Sequence, residues 1–345
     1  MLAFAAALIA PVIKATDADR EEVERLLGQG DAASNRIRRS FLDAIEKLGS
    51  NLDTTEIVAY LRAGRVSDAI GALNIAMLAA GFQPVAATVS EAVITSGRAA
   101  AAAVRMTGGV EFVFGVTAPT TISYLQRNDF NLIVELTSSA RASVAETIRA
   151  GVEAGRNPID VARDVRRHIG LTARQARAVS NYRRLLEEGA GEALDRALRD
   201  KRFDPTVARA IADKKPIPRA KINTMVARYE ARYLKYRAET IARTEGLRAA
   251  NAGNQLAWEQ AAAEGKLEGK VVVRKWVTSG DHLVRESHRQ IPRLNEAGVG
   301  LNEPFRSPLG PIMFPGDPNA PAALTANCRC TVVIRFKWMR SKQPE

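Results

Sequence analysis

Along most of the chain, apolar residues recur every three or four positions, the spacing that one face of an α-helix requires. Punctuating residues divide this pattern into helices. The Asp-Thr-Thr-Glu segment at 53–56 has the form of a capping box, and Gly64 stops the helix that follows. An alanine-rich helix is predicted from about Val85 to Arg105.

Helical patterns resume after residue 131. Asn157-Pro158 joins a capping residue to a proline at the first helical position, and Thr172 caps the next helix. A longer pattern runs from about Ala220 to Ala250. Its apolar and aromatic seam steps by threes and fours and consists of Ile222, Val226, Tyr229, Tyr233, Tyr236 and Thr240. Tyrosine mixed with arginine also suits stacking of single-stranded bases, but this spacing favours a core seam.

Two segments near the C-terminus have strand character instead. Lys270–Thr278 and Thr331–Lys337 are rich in β-branched residues and are predicted to pair, while 289–321 holds seven of the 15 prolines and little regular structure. Val110–Val116 alternates and is predicted as another short strand. The fold class is therefore a predominantly helical α+β protein, with helical N-terminal and central regions and a small C-terminal lobe containing a short antiparallel sheet.

Composition changes near Pro119 and the polar pair Asn128-Asp129, so we place a boundary there. Residues 1–130 form a helical N-terminal region of unassigned role, 131–250 a central helical region, and 251–345 the α+β lobe. Charge changes at the same place. Residues 1–130 carry 12 Lys and Arg against 14 Asp and Glu, a net −2, whereas 131–345 carry 38 against 24, a net +14.

A field of that sign attracts polyanions, of which nucleic acid is the commonest. Non-specific DNA is therefore an expected partner. The candidate contacts are Arg163, Arg166, Arg167, Arg174, Arg177 and Arg184. A solvated helix face is the alternative for these arginines. The basic residues beside the tyrosine seam are Arg228, Arg232, Lys235 and Arg243.

The cysteines and the N-terminus bear on location. Cys328 and Cys330 are one residue apart, and a disulfide between them would be strained, so we expect a reducing compartment or indifference to redox state. Residues 1–13 are apolar but lack the preceding charge of a signal peptide and the ~20 residues of a membrane span. We expect a buried or partner-contacting helix there, with membrane contact as the alternative.

Near the C-terminus lie residues of the types that bind zinc. Cys-x-Cys on an extended segment turns both thiols to one face, so His288, Cys328 and Cys330 could close a tetrahedral site with Asp281 or His282. Alternatively, the histidine hydrogen-bonds a carbonyl and the cysteines are small core residues. Because the spacing falls short of standard zinc motifs, we expect no bound cofactor, with zinc as the alternative.

An ordered set of residues carries a family resemblance. It comprises Ile241-Ala242-Arg243-Thr244-Glu245, Asn251, Gly253, Trp276, Asp281, Val284-Arg285, His288, Phe305, Phe314-Pro315-Gly316-Asp317-Pro318 and Asn327-Cys328-Arg329-Cys330. Together with the Asn157-Pro158 helix and the stretch LTARQARAVSNYRRLL, this set resembles the Mu F-like head-morphogenesis family of phage minor head proteins. The resemblance covers residues 131–337.

The resemblance implies a minor head protein of a tailed bacteriophage, present in few copies in the virion. Such a protein acts in head morphogenesis at the portal vertex, near packaged DNA, and contacts portal, scaffold or major head protein. It implies no catalytic residues and no small-molecule substrate. Other members carry Cys-x-x-Cys where this chain has Arg285 and His288, so a metal role does not transfer.

Two other functions are alternatives. An internal DNA-binding virion protein, ejected with the genome, would also be basic. A toxin-like enzyme could be fused to the lobe, but Arg243 and Glu245 point about 200° apart on a helix, which does not suit an ADP-ribosyltransferase. A thiol nucleophile activated by His288 lacks the context of a cysteine protease, and no phosphate-binding loop occurs. We therefore expect a protein that is not an enzyme.

Overall fold

The computed structural model describes residues 17–337. Its helices are α1 Asp17–Asn51, α2 Thr55–Arg62, α3 Val66–Gly71, α4 Ile75–Gly108, α5 Pro119–Glu153, α6 Pro158–His168, α7 Ala173–Glu187, α8 Asp204–Ala212, α9 Arg219–Ala263, α10 Glu286–Leu294 and α11 Ala322–Thr325. The strands β1 Val271–Val277 and β2 Thr331–Lys337 form a two-stranded antiparallel sheet. The predicted fold class is confirmed. The apolar segment 1–13 lies outside the described residues.

The first turns of the helices show which of the predicted caps form in the structure. The Asn157 side chain accepts a hydrogen bond from the Ile159 amide at 2.9 Å. Thr172 and Gln175 form a reciprocal capping box, with distances of 3.2 and 3.0 Å. At 53–56 the Asp53 carboxylate instead accepts from the Thr55 amide at 2.9 Å, so the predicted capping box is replaced by a local turn.

Two predictions of secondary structure were wrong. Val110–Val116 is not a strand: Phe112 and Phe114 are buried as the alternation suggested, but no neighbouring strand pairs with them. Helix α5 runs through Asn128-Asp129, where the sequence placed a boundary between regions, and the Asp129 carboxylate accepts a hydrogen bond from Ser90 at 2.7 Å. Helix α9 continues past Ala250 to Ala263, because its polar positions there also face protein.

The chain folds into two compact units, each assembled from several stretches. As far as its residues are described, unit 1 comprises Met1–Arg39, Val85–Phe130 and Thr240–Glu345, and unit 2 comprises Ser40–Pro84 and Asn131–Glu239. The chain passes from one unit to the other within α1, α4, α5 and α9. The boundary predicted after residue 130 coincides with one of these passages, but each unit combines separate stretches of the chain and is not one of the three consecutive segments drawn from composition.

In unit 1 the short sheet and the loops around it form the C-terminal lobe, residues 271–337. Val271 pairs with Lys337 and Val277 with Thr331. Beyond α10 the proline-rich stretch holds only isolated bridges and turns up to α11, as its composition predicted. The aromatic core consists of Trp276 and Phe305, whose ring centroids are 5.4 Å apart in an edge-to-face arrangement.

In unit 2 an apolar cluster joins α7, α8 and the first half of α9. Its members are Leu171, Val179, Tyr182, Leu185, Leu186, Ala193, Val207, Ile217, Ile222, Met225, Val226 and Tyr229. The rings of Tyr182 and Tyr229 lie 4.4 Å apart. The predicted core seam is therefore confirmed as far as Tyr229. It does not extend to Tyr236, which is 54% exposed.

One helical stretch among the described residues, Val66–Arg105, is long and apolar enough to cross a membrane, with a mean hydropathy of 1.5 in its most apolar window. Length and composition alone also select core helices of soluble proteins. Buried positions in α4 recur every three or four residues, namely Leu78, Phe82, Val85, Val89 and Val93. This periodicity is typical of a helix that packs on protein through one face.

Candidate functional site

A thiol–imidazole cluster lies in the C-terminal lobe. It consists of His288 on α10 with Cys328 and Cys330, which lie just before β2. The Nδ1 atom of His288 is 3.3 Å from the Cys330 sulfur and 3.5 Å from the Cys328 sulfur. All three potential ligand atoms lie within 4.8 Å of one another. The group could hold a metal ion, as the sequence indicated.

The lobe encloses this cluster almost completely. His288, Cys328 and Cys330 are 2%, 3% and 1% exposed. The Trp276 ring packs edge-to-face on the imidazole, with centroids 6.0 Å apart. The backbone amide of Cys330 donates to the Cys328 sulfur at 3.4 Å. Free solvent therefore does not reach the thiols, and their chemistry depends on these few neighbours.

The two thiols are inequivalent. The Cys330 thiol, the His288 imidazole and the Cys330 amide donate hydrogen bonds to Cys328 and hold its pKa well below the usual range. Burial raises the pKa of the Cys330 thiol, and its neighbour's negative charge raises it further. These neighbours thus favour the ionised form of Cys328 and the neutral form of Cys330.

Arg285 fixes the tautomer of the histidine. One guanidinium nitrogen lies 3.3 Å from His288 Nε2, and another donates to the Ala326 carbonyl at 2.8 Å. A guanidinium can only donate, so Nε2 accepts and the ring hydrogen is on Nδ1, which faces the thiols. A metal bound at Nδ1 would require the opposite tautomer, with the Nε2 hydrogen directed at a donor.

The distances are close to those of a tetrahedral metal site. With zinc–sulfur and zinc–nitrogen bonds of about 2.3 and 2.0–2.1 Å, tetrahedral angles place nitrogen and sulfur ligands about 3.6 Å apart. The observed separations of 3.3 and 3.5 Å are slightly shorter, which suits direct hydrogen bonds. Three ligands fit the geometry, and a fourth would still be required.

The fourth ligand named from the sequence does not join the group. The Asp281 carboxylate forms an ion pair with Arg329 at 2.7 Å and accepts from the Leu283 amide at 2.9 Å. It starts a turn and does not cap α10, which is preceded by Arg285. His282 is exposed. The structure brings together His288, Cys328 and Cys330 but not Asp281 or His282.

The six arginines proposed for DNA contact lie on α6 and α7, where five of them have partners. The partners are Asp160 for Arg163, the Leu52 carbonyl for Arg166, Glu230 for Arg167, Glu146 for Arg177 and Glu188 for Arg184. Arg174 is exposed. Because acids already neutralise four of them, this face offers less uncompensated charge than its sequence suggests. The DNA contact at these residues stays a prediction.

Residues of the ordered set lie where α9 meets the lobe. The Asn327 amide donates to Thr244 Oγ1 at 3.0 Å. Asn251 accepts from the Val332 amide at 3.1 Å, and Asn254 donates to the Val332 carbonyl at 3.3 Å. These asparagines occupy both backbone groups of one residue of β2. Polar side chains of α9 therefore fix the position of β2 along the helix.

Glycines of this set permit close backbone approach. A Cβ at Gly253 would lie 2.3 Å from the Val93 carbonyl oxygen of α4, and Gly316 has a φ of +88°. Gly316 also presents its carbonyl to the Arg248 guanidinium at 2.7 Å. Substitution at either glycine would separate packed backbones or strain a turn.

Arg274 is a central residue of the lobe that sequence reasoning missed. Its side chain is fully buried, stacks over Phe305 at 5.1 Å, and donates to the Gly300 and Met313 carbonyls at 3.0 and 2.7 Å. It also donates to the Glu303 carbonyl and, at 3.1 Å, to Gln255. The alternation of β1 could have indicated this, because Arg274 has the same parity as the inward-facing Trp276.

A comparison of the chain with family models, with curated proteins and with solved structures returned no match. The arguments for function therefore rest on the residues and the geometry described above.

Proposed function

We propose that this chain is a minor head protein of a tailed bacteriophage, acting in head morphogenesis at the portal and near packaged DNA. The observation that carries the proposal is that residues of the ordered set meet where α9 packs against the lobe. Residues that lie far apart in sequence meet there through specific contacts, such as Thr244 with Asn327 and Asn251 with Val332. If the resemblance of these scattered residues to the family were due to chance, it would give no reason to expect contacts between them in the fold.

The proposed role is binding and assembly without catalysis. Arg243 is exposed, while Glu245 is buried and accepts a hydrogen bond from Arg248 at 2.9 Å. These two residues therefore do not share a site, which speaks against transferase chemistry. The Cys328 sulfur is enclosed by the lobe at 3% exposure, so a polymeric substrate cannot approach it in this conformation. Both features support a structural use of residues with reactive side chains.

We further propose that the thiol–imidazole cluster stabilises the lobe through hydrogen bonds and carries no stoichiometric zinc. Support comes from Arg285, whose donation to His288 Nε2 places the ring hydrogen on Nδ1. Zinc is the alternative, and its binding would have to displace that hydrogen, the proton of the Cys330 thiol and the Arg285 contact. Elemental analysis of the purified chain, with thermal melts before and after chelation, separates the two. One zinc per chain, lost together with folding of the lobe, would contradict the hydrogen-bonded cluster.

The assembly role is tested by conditional loss of the chain. A nonsense mutation in its reading frame, in the phage that encodes it, should yield defective or DNA-free heads in a non-suppressing host. Complementation with the native sequence should restore filled particles. Complementation with Asn251→Ala, which removes a contact of α9 with the lobe, or with Gly253→Val, which disturbs the packing of α9 on α4, should not. The exposed Lys275→Ala serves as the matched control.

Mass spectrometry of purified particles completes this test. Few copies of the chain per particle, retained in the emptied head after the genome is released, are expected of an assembly protein. Loss of the chain together with the DNA would favour the internal, ejected protein instead. Normal filled particles that lack the chain would contradict both virion functions.

A further inference from the structure

A basic stripe runs along the first half of α9. Lys221, Arg228, Arg232 and Lys235 are spaced by seven, four and three residues, which places them on one side of the helix. All four are exposed. At 1.5 Å per residue, the stripe is about 21 Å long. On another side of the same helix, Ile222, Val226 and Tyr229 pack in the apolar cluster of unit 2. This packing fixes the rotation of the helix about its axis, so the stripe stays on the exposed side.

A neighbouring turn adds two further cations. The 3₁₀ turn Lys201–Phe203 follows Asp200, and both Lys201 and Arg202 are exposed. The ammonium group of Lys221 stacks over the Phe203 ring at 5.1 Å, which places this turn beside the start of the stripe. We define the basic stripe as the four α9 residues together with Lys201 and Arg202.

Asp200 organises this surface. Its carboxylate receives Arg202 at 2.7 Å, Arg232 at 3.4 Å and Arg228 at 3.8 Å. The side chain is 3% exposed because the arginines cover it, and the hydrogen bonds from Arg202 hold its pKa at about 2. One anion therefore positions three guanidinium groups and leaves an excess of positive charge. Arg232 is held further by donating to the carbonyl groups of Leu198 and Arg199.

Few acids compete on the stripe itself. Glu239, one turn beyond Lys235, lies 3.9 Å from its ammonium group, and both side chains are well exposed. Such a pair is weak. On the α6–α7 face, by contrast, Arg163, Arg177 and Arg184 each form an ion pair with an acid at 2.6–2.9 Å. The stripe thus sets six cations against Asp200 and Glu239, whereas each of these three arginines has an acid of its own.

We infer that the basic stripe binds the phosphate backbone of duplex DNA without sequence preference. The inference deepens the proposed function, on which it rests for its biological setting, by naming the surface through which the chain contacts DNA. Lysine and arginine on a rigid helix can contact successive phosphates, and such contacts position a protein without reading bases. Single-stranded DNA would require aromatic rings between the cations, whereas Tyr236 is the exposed ring at one end only.

The test uses the full chain and two matched triple variants. Lys221→Gln/Arg228→Gln/Lys235→Gln removes three charges of the stripe and leaves Arg202 and Arg232 on Asp200. Arg163→Gln/Arg177→Gln/Arg184→Gln removes three charges from the α6–α7 face, where the side chains are 60%, 65% and 54% exposed. Glutamine preserves helix propensity, and circular dichroism melts check that both variants are folded.

Binding to a mixed-sequence 30-base-pair duplex is measured by fluorescence anisotropy over a series of salt concentrations. Loss of three phosphate contacts should make the plot of log affinity against log salt shallower by about 2.7. Affinity near 0.1 M salt should fall by tenfold or more in the stripe variant. The α6–α7 variant should remain within about threefold of the native chain and keep its slope.

Four outcomes would overturn the inference. An equal loss in both variants would show a general charge effect, and unchanged binding in the stripe variant would place the contact elsewhere. Tighter binding to single strands of the same length, lost in Tyr236→Ala, would exclude the duplex. If the native chain binds no DNA, the contact fails while the particle assay of the proposed function can still succeed, so the two failures are distinguishable.

Discussion

The lobe of unit 1 and the helical core of unit 2 are stabilised in different ways. In unit 2, large apolar side chains such as Tyr182, Leu186 and Tyr229 are buried against one another. In the lobe, apolar residues such as Trp276 and Phe305 are buried together with the polar side chains of Arg274 and His288. The proline-rich segment of the lobe is therefore anchored to Arg274 through its backbone carbonyls, in addition to the burial of apolar area that also stabilises unit 2.

The difference has consequences for mutation. Removing a buried polar residue leaves its partners unsatisfied, whereas removing a buried ring leaves a cavity. The position of the tryptophans separates the two regions experimentally. Trp258 and Trp276 are buried in unit 1, and the third tryptophan of the chain is Trp338, so unit 2 contains none. Tryptophan fluorescence therefore follows unit 1, and far-ultraviolet circular dichroism follows both units.

The largest effect is expected for Arg274→Ala. The change leaves three carbonyl groups and the Gln255 side chain without their donor and opens space beside Phe305. Breaking a buried charged network costs about 3–5 kcal/mol, and the loss should appear in urea unfolding followed by tryptophan fluorescence. Lys275→Ala, on the exposed face of the same strand, is the control and should stay within about 0.5 kcal/mol. Equal effects would contradict the central role of Arg274.

Tyr229→Ala should produce the largest loss in unit 2. Its ring is 2% exposed and contacts Tyr182 and Tyr233, so its removal should cost about 3 kcal/mol. Far-ultraviolet circular dichroism should show the loss. Tyr236→Ala, seven residues further along the helix at 54% exposure, should change stability by less than about 0.5 kcal/mol. A stable Tyr229→Ala protein with weakened DNA binding would show instead that this ring is a stacking platform.

A smaller, pH-dependent effect is expected at a buried pair in unit 2. Burial raises the pKa of Glu230 to about 7 and lowers that of His168 to about 4. The stability due to Glu230 is complete below the unfolded value of 4.5 and is lost as pH rises through 7. The stability due to His168 is present above 6.5 and is lost as pH falls through 4. Between pH 4.5 and 6.5 the stability due to Glu230 falls as pH rises, whereas the stability due to His168 increases, so the two pH dependences oppose each other.

Glu230→Gln removes the part of the pH dependence of the unfolding free energy that is due to Glu230. The unfolding free energy of the variant, relative to the native chain, should therefore rise with pH between 5 and 7, by up to about 1.4 kcal/mol per unit. Circular dichroism melts at pH 5, 6 and 7 measure this difference. A difference independent of pH would mean that the carboxyl group has an ordinary pKa in the folded protein.

The smallest effect should follow Cys330→Ser in the lobe. The serine hydroxyl can still donate toward Cys328, so we expect a packing loss of about 1 kcal/mol and no change of melting temperature with chelator. Tryptophan fluorescence is again the measure, because Trp276 packs on His288. Loss of the folded lobe in this variant, matched by chelation of the native chain, would assign a metal to the cluster.

Local signals in the sequence predicted the parts of the fold that depend on them. The caps at Asn157 and Thr172, both strands and the start of the tyrosine seam follow from residue types and spacing. The continuity of α9 could not be predicted in this way. The polar residues after Ala250 are typical of a helix end in water, but here Asn251 bonds to Val332 of a distant strand.

The candidate site shows the same division. A group of His288, Cys328 and Cys330 was one of two alternatives that ligand types and the extended Cys-x-Cys geometry left open, and the structure brings the three together. The fate of Asp281 depended on Arg329, and the tautomer of His288 depended on Arg285. The compensation of Arg163, Arg177 and Arg184 likewise depended on acids that folding brings to them. The sequence shows which residue types could act together. Ion pairs that form in the folded protein determine which of the charges are left uncompensated.

The central claim is that this chain is part of a phage head at the portal. Cryo-electron microscopy of the particle, reconstructed without imposed symmetry around the portal vertex, tests it most directly. We expect density for a few copies of the helical units and the lobe inside that vertex, with the basic stripe of α9 facing packaged DNA. A well-resolved vertex without this density, in particles that package DNA normally, would contradict it.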